Sequence, residues 1–250
     1  MDAALAALAL APGLALGSFL NVVAARVPLK RSLVRPGSAC MSCSAPIAWY
    51  DNVPLVSYIL LRGRCRSCRA PIGLVYPAVE VASALLVAGC VLAFGLSLQA
   101  VIAAFFCCVL VAISAVDLAH RIVPDKIVLP ATVVVLVVQT AREPSFEWVL
   151  AAFGASLFLF LAVLAYPAGM GMGDVKLALL MGAALGKLVA VALMVGMLAA
   201  LVPGLYLLAR HGRAARKMAI PFAPFLAFGS VIALFAGNPL LDAYLNVLSA

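Results

Sequence analysis

Charge is what this chain of 250 residues has least of: 10% of its residues are Asp, Glu, Lys or Arg, and only nine are acids. A soluble domain carries about 25% charged residues. Together with 67% hydrophobic residues and a mean hydropathy of +1.21, that shortage excludes a water-soluble globular fold and reads as a polytopic membrane protein. Basic residues are missing from the start of the chain, where Asp2 stands, which argues against a cleaved secretory signal. A Gly-rich dinucleotide-type loop after a strand is also missing, so no cofactor site is legible as a local pattern. No sequence repeat is evident. The apolar segments keep their acids at their ends, which disfavours a proton-coupled transporter, whose relay needs ionisable groups near the bilayer midplane.

What is present is a series of long apolar runs. Ala3 to Ala25 is uncharged for 23 residues, enough to cross a hydrocarbon core of ~30 Å. Val81 to Val116 is uncharged for 36 residues and reads as parts of two spans joined near Gly95 to Gln99. Further spans are predicted at Ile127 to Thr140, Val149 to Tyr166, Val175 to Gly186, Leu188 to Ala209 and Pro221 to Leu241. The fold class is therefore an all-α membrane bundle of about eight transmembrane helices. Fifteen of the 17 Lys and Arg residues fall on one side of this arrangement: in 26–69, at Arg121, Lys126 and Lys176, and in 210–217. Only Arg142 and Lys187 lie on the other. Basic residues favour the cytoplasm, so both termini are expected outside, with Asp117 and Asp174 near the cytoplasmic interface. The net charge of +8 is mostly this topology signal. It points to anionic lipid headgroups as partners, not to nucleic acid.

Three parts follow: residues 1–25 as a first transmembrane helix, 26–75 as a cytoplasmic insert, and 76–250 as a block of seven spans. The insert has no long apolar run and is too small for a large core, a situation that often calls for a metal or disulfides. It holds four of the seven cysteines, in Cys40-Met-Ser-Cys43 and Cys65-Arg-Ser-Cys68, with 21 residues between the pairs. Two such C-x2-C knuckles complete a tetrahedral four-thiolate zinc site with no open position, hence structural and zinc-ribbon-like. A cytoplasmic location disfavours disulfides, and the flanking Arg64, Arg66 and Arg69 are expected to favour the thiolates. Cys90, Cys107 and Cys108 lie in apolar spans and read as small hydrophobes.

The chemistry resides in the acids. Gly171-Met-Gly-Asp174 puts a carboxylate where an apolar run gives way to a turn, and its glycines Gly171 and Gly173 allow close approach of backbone or ligand. Asp117 ends an earlier uncharged run. Two carboxylates brought close together do not both ionise easily, which provides one general base and one general acid. Asp117 and Asp174 are therefore the candidate catalytic pair. Asp125 reads as an interfacial carboxylate paired with Arg121 or Lys126. Lys176, a supporting candidate, either biases the pair or snorkels to headgroups. Glu80 stands at a helix N-terminal turn, where its charge is favourable, or holds a cationic or hydrogen-bonding cofactor group. His120 and His211 read as solvated. A zinc-ribbon assembly scaffold without chemistry is a further reading of the insert.

With these residues in view, the chain resembles the type IV prepilin peptidase family, the leader peptidases and N-methyltransferases of pilus and type II secretion systems. The resemblance rests on Gly17-Ser-Phe-Leu-Asn-Val-Val, the C-x2-C pair, Tyr76-Pro-Ala-Val-Glu80, the Asp117 to Asp125 segment, Gly171-Met-Gly-Asp-Val-Lys176 and Ile220-Pro-Phe-Ala-Pro-Phe-Leu. The G-x-G-D element alone is shared with presenilin-type intramembrane proteases. The resemblance implies that Asp117 and Asp174 are catalytic and that a short basic leader is cleaved from prepilins or pseudopilins at the cytoplasmic face of the inner membrane. Asp51 or acidic headgroups would receive that leader. It further implies methylation of the new amino terminus from S-adenosylmethionine, a step the family assigns to the N-terminal part; Glu80 is our candidate cofactor residue there, and a leader peptidase lacking the methyltransferase is the alternative. Ala223 stands where members often have Gly, a change expected to affect packing more than chemistry.

Overall fold

The computed structural model describes residues 2–166, 170–212 and 220–249. The basic residues Arg213, Arg216 and Lys217, which the charge argument used, lie outside them. Among the described residues the chain is helical with no strand, the only β pairing being two isolated bridges. Its long helices are α1 (Asp2–Arg26), α3 (Val75–Phe94), α4 (Leu98–His120), α5 (Asp125–Arg142), α6 (Glu147–Ala165), α7 (Met172–Leu185), α8 (Val189–His211) and α9 (Ala223–Ser249); α2 (Val56–Leu60) is a single short turn of helix in the insert. Each expected span thus has its helix. The break predicted inside the longest uncharged run falls at Gly95, whose φ of +65° ends α3.

Among the described residues, six segments are long and apolar enough to cross a bilayer, against the eight or so expected. One of them, Met172–His211, contains both α7 and α8, separated by a 3-10 turn at Gly186–Leu188. Helix α5 is left out because Asp125, Lys126 and Arg142 charge its two ends. Helix α7, at 14 residues, is about 21 Å long and shorter than a hydrocarbon core.

The chain forms two compact units, Met1–Ala115 and Val116–Ala250. In the first, α1 lies against α3 through Gly13 and Gly17. A Cβ on Gly13 would stand 2.6 Å from Ala84 Cα, and one on Gly17 would stand 2.5 Å from Glu80 Cα. Such a small-x3-small face lets two helix backbones approach where lipid offers no hydrophobic drive for association. Cys90 of α3 meets Cys107 of α4, and with Cys108 both are buried. The insert between α1 and α3 contains a repeat that the sequence reading overlooked: Cys40–Ile47 and Cys65–Ile72 agree at six of eight positions. Both copies adopt one conformation. Cys40 N–H donates to Ala45 O at 2.9 Å as Cys65 N–H does to Ala70 O, and Ile47 pairs with Ser38 as Ile72 pairs with Gly63. Ser44 and Arg69, one residue past each second cysteine, both take a positive φ.

In the second unit α7 is the central element, with ten of its 14 residues buried. It packs on α6 so closely that a Cβ on Gly182 would stand 2.5 Å from Ala152 Cα. On its other side, the buried Gln139 of α5 donates to Ala184 O at 3.2 Å, a polar tie between helices. Gly229 and Gly196 bring α9 and α8 together in the same way. Gly182→Val is expected to destabilise the protein by about 1–3 kcal/mol through overpacking, read as a lower thermal midpoint in detergent. Gly154→Ala on α6, where a Cβ meets nothing within 4 Å, is expected to stay within about 0.5 kcal/mol of the parent.

Candidate functional site

Asp117 lies in the last turn of α4, where the helix dipole disfavours a negative charge. It is nonetheless 5% exposed. What compensates is the start of another helix: Asp117 Oδ2 accepts the Ala223 N–H at 3.0 Å, at the first residue of α9. Pro224 follows, a residue suited to a first helical turn because it has no N–H to satisfy there. The sequence reading missed Ala223 as a functional position, since its contribution is a main-chain donor. The signal was the Ile220-Pro-Phe-Ala-Pro-Phe-Leu stretch, in which two prolines leave the intervening amide of Ala223 free to serve another element.

Asp174 does not sit in a turn before the helix, as its glycines led us to expect. The helix begins earlier, at Met172, with Gly171 in extended backbone as the residue before it. Asp174 N–H donates to Gly171 O at 3.1 Å, and Gly171 N–H donates back to Asp174 Oδ2 at 3.3 Å, a reciprocal cap that starts α7 ahead of its apolar stretch. Asp174 is 8% exposed. Both acids belong to the second unit, and no ion pair ties either of them among the described residues.

The two glycines of the motif differ in purpose. A Cβ on Gly173 would stand 2.9 Å from Val123 Cβ, so the α4–α5 connection passes where a side chain would be. Among the described residues, a Cβ on Gly171 would meet nothing nearer than Asp174 Oδ2, at 3.9 Å, so there the glycine leaves space beside the carboxylate. Lys176 turns away from the acids of the candidate pair: its Nζ is 2.6 Å from Asp125 Oδ1. Asp125 therefore pairs across helices with Lys176, not with Arg121 or Lys126, and the pair ties the start of α5 to the first turn of α7.

Glu80, on α3 in the first unit, is 8% exposed, and its Oε2 accepts the Leu55 N–H at 2.8 Å. Leu55 has a φ of +58°, so the carboxylate secures a strained turn of the insert. The four cysteine sulfurs of Cys40, Cys43, Cys65 and Cys68 all lie within 4.8 Å of one another, with Cys40 and Cys68 at 3.8 Å. Sulfurs held at ~2.3 Å from a central tetrahedral ion stand about 3.8 Å apart, so the cluster has the dimensions to hold zinc. The Cys43 and Ser42 backbone amides draw the Cys40 thiol down to about 6. The Ala70 amide favours the Cys68 thiolate too, but the crowding thiols of Cys43, Cys65 and Cys40 push Cys68 up to about 11. Four thiolates in this volume thus call for a cation. The expected help from arginines is replaced by these turn amides. Arg66 is held in a bidentate pair by Asp51, at 2.6 Å to each oxygen, which keeps the Asp51 carboxyl below its usual range. Asp51 is accordingly not free to receive a basic leader.

Gly173→Ala is expected to cost about 1–3 kcal/mol in thermal unfolding, and Gly171→Ala less than about 1 kcal/mol, the difference between a good and a poor N-cap. Equal costs would contradict the division of labour between the two glycines.

Two protein-family models match the chain: one described as the bacterial peptidase A24 N-terminal domain over residues 12–94, and one described as the type IV leader peptidase family over residues 104–208. The chain is 32% identical over 239 residues to a prepilin leader peptidase/N-methyltransferase of Bacillus subtilis, covering 94% of this chain and 96% of that protein. A protein of the same name from Pseudomonas aeruginosa is 34% identical over 265 residues, with 94% and 91% covered. One from Myxococcus xanthus is 47% identical over 118 residues, with 47% and 35% covered. No solved structure matches.

Proposed function

The chain belongs to the type IV leader peptidase family, and from that premise we propose that it removes the basic leader from type IV prepilins or type II secretion pseudopilins at the cytoplasmic face of the inner membrane, with Asp117 and Asp174 as its catalytic pair. The observation that carries this reading is that both acids are buried in one unit and accept backbone amides, with no ion pair to either among the described residues. A purely structural buried carboxylate is normally neutralised by a basic partner. Here the lysine two residues away from Asp174 is committed to Asp125.

In the proposed reaction one carboxylate is ionised and the other protonated. The ionised one takes a proton from water, whose oxygen attacks the scissile carbonyl carbon. The protonated one hydrogen-bonds the carbonyl oxygen and then delivers its proton to the leaving amine as the C–N bond breaks. No covalent enzyme intermediate forms. The Gly171 and Ala223 amides fix the two carboxylates in orientation, while the Lys176–Asp125 pair and the Val123–Gly173 contact hold the loop after α4 against α7. The open space at Gly171 leaves room for the substrate backbone beside Asp174. The apolar N-terminal helix of the mature substrate stays in the bilayer, and its leader lies at the basic cytoplasmic surface among anionic headgroups.

The cysteine cluster holds a structural zinc ion in this reading, since four thiolates leave no position for substrate. The new amino terminus is then N-methylated from S-adenosylmethionine, which supplies an electrophilic methyl group when bound. Glu80 is the residue assigned to hold it. It fits because only one of its oxygens is engaged, leaving the other as an acceptor.

Asp117→Asn and Asp174→Asn are each expected to abolish leader cleavage of a prepilin in detergent-solubilised enzyme, with a drop of roughly 10³-fold or more, while expression and thermal midpoint persist. Full processing by either single variant would remove that acid from the pair. Elemental analysis should find zinc near one equivalent per chain, lost in the Cys40→Ser, Cys43→Ser double variant. Stoichiometric zinc surviving that change would refute the four-thiolate site.

A further inference from the structure

We propose that the insert binds the phosphate of an anionic phospholipid in a cavity of about 300 Å³ walled by Leu60, Leu61, Arg62, Arg66 and Arg69. Such a site needs neither the acid pair nor a methyl donor. Its place in the fold sets it at a membrane surface. Helix α3, with 20 residues, is long and apolar enough to cross a bilayer. Its length of about 30 Å matches the hydrocarbon core, so Val75 marks one edge of that core. Two contacts tie α2 to this edge. Leu55, the residue before α2, donates its N–H to Glu80, which lies no more than about 7.5 Å along α3 from Val75. Beyond the other end of α2, Ile72 N–H donates to Gly63 O at 2.7 Å, and Val75 follows three residues after Ile72, a reach of about 10 Å at most. The short helix therefore lies at the boundary of headgroups and acyl chains, where interfacial elements bury an apolar face. It has such a face: Ile59 is 63% and Leu60 76% exposed, and Val56 is exposed beside them.

The guanidinium groups decide what binds there. Arg66 is committed: Asp51 holds it at 2.6 Å to each oxygen, and it lies over the Tyr50 ring at 5.6 Å from the centroid. Arg62 and Arg69 are not. Among the described residues neither side chain makes a hydrogen bond or an ion pair, and the wall contains no acid. Two unmatched positive charges thus line one small cavity whose other sides are leucines. Like charges so placed repel one another, and a shared anion relieves that repulsion. A guanidinium fork meets two oxygens of a phosphate at once, a geometry that lysine lacks. The leucines suit the glycerol and acyl carbons that adjoin a lipid phosphate, whereas a free anion has no use for them. The repeat in the insert shows that the arginines are not there for the turn. Its two copies differ at two positions, Met41 against Arg66 and Ser44 against Arg69. Those are the two arginines that the second knuckle gives to the cavity. Ser44 and Arg69 share a positive φ, so the knuckle forms equally well without a guanidinium.

The experiment is native mass spectrometry of the full-length protein, delipidated in detergent and titrated with phosphatidylglycerol or with phosphatidylcholine of the same acyl chains. Wild type should prefer phosphatidylglycerol for the first lipid bound, and no preference would overturn the site. Arg62→Gln with Arg69→Gln should weaken phosphatidylglycerol binding roughly tenfold or more. Arg31→Gln with Arg35→Gln, which removes the same charge from exposed positions of the insert outside the cavity, should leave it unchanged. Equal losses in the two double variants would reduce the effect to diffuse attraction and overturn the site. Glycerophosphoglycerol, which has the headgroup but no acyl chains, should compete poorly; binding as tight as the lipid's would make the cavity a site for free phosphate esters instead. Zinc measured in the same samples should be the same in wild type and both variants, and its loss with Arg62 and Arg69 would assign those arginines to the cysteine cluster. Photolabelling of wild type with a diazirine-bearing phosphatidylglycerol needs no variant. Its adducts should include α2 and the second knuckle, in excess over the phosphatidylcholine analogue, and adducts confined to α4 and beyond would overturn the proposal.

Discussion

A carboxylate withdrawn from water must be met by donors, and in this protein that requirement organises the second unit. Asp117 is at the wrong end of its own helix, where the dipole opposes it. It finds its donor 106 residues further along, in the first amide of α9. Asp174 solves the same problem locally, by capping the helix that carries it. Each acid accepts a main-chain N–H, and no ion pair ties either of them among the described residues. Buried charge held by amides alone costs stability that an apolar residue would not, a cost easier to understand in a site than in a scaffold.

The helix contacts around the two acids depend on small residues. Gly182 lets α7 sink against α6, Gly173 lets the loop after α4 cross the first turn of α7, and Gly196 with Gly229 seats the α8–α9 pair that presents Ala223. In a bilayer such contacts replace the hydrophobic drive that lipid cannot supply. The same device acts in the first unit, where Gly13 and Gly17 hold α1 on α3 and fix the position of Glu80.

The insert follows another logic. With little apolar mass it relies on two copies of one eight-residue turn whose amides prepare their own sulfurs. Cys40 is drawn toward the thiolate by its turn, whereas Cys68 is held back by its neighbours, so the cluster is poised to complete itself only around a cation. Cys40 and Cys65 also line a cavity of this unit, so the cysteine cluster forms part of that cavity's wall.

Much of this was legible in the linear chain. The scarcity of charge and the length of the apolar runs determined a polytopic helical protein, because a backbone in lipid must satisfy its hydrogen bonds within helices. The C-x2-C spacing determined a metal-sized cluster, and the isolated acids Asp117 and Asp174 marked themselves by the cost of burying charge. The helix termini shifted by a few residues, since caps such as Gly171–Asp174 extend a helix beyond its apolar stretch. What only the tertiary structure decided were the partners: Lys176 with Asp125, Asp51 with Arg66, Leu55 with Glu80 and, above all, the Ala223 amide with Asp117. A main-chain donor has no residue type to betray it, and a pairing across a hundred residues has no local period. Such contacts exist only once the helices have packed.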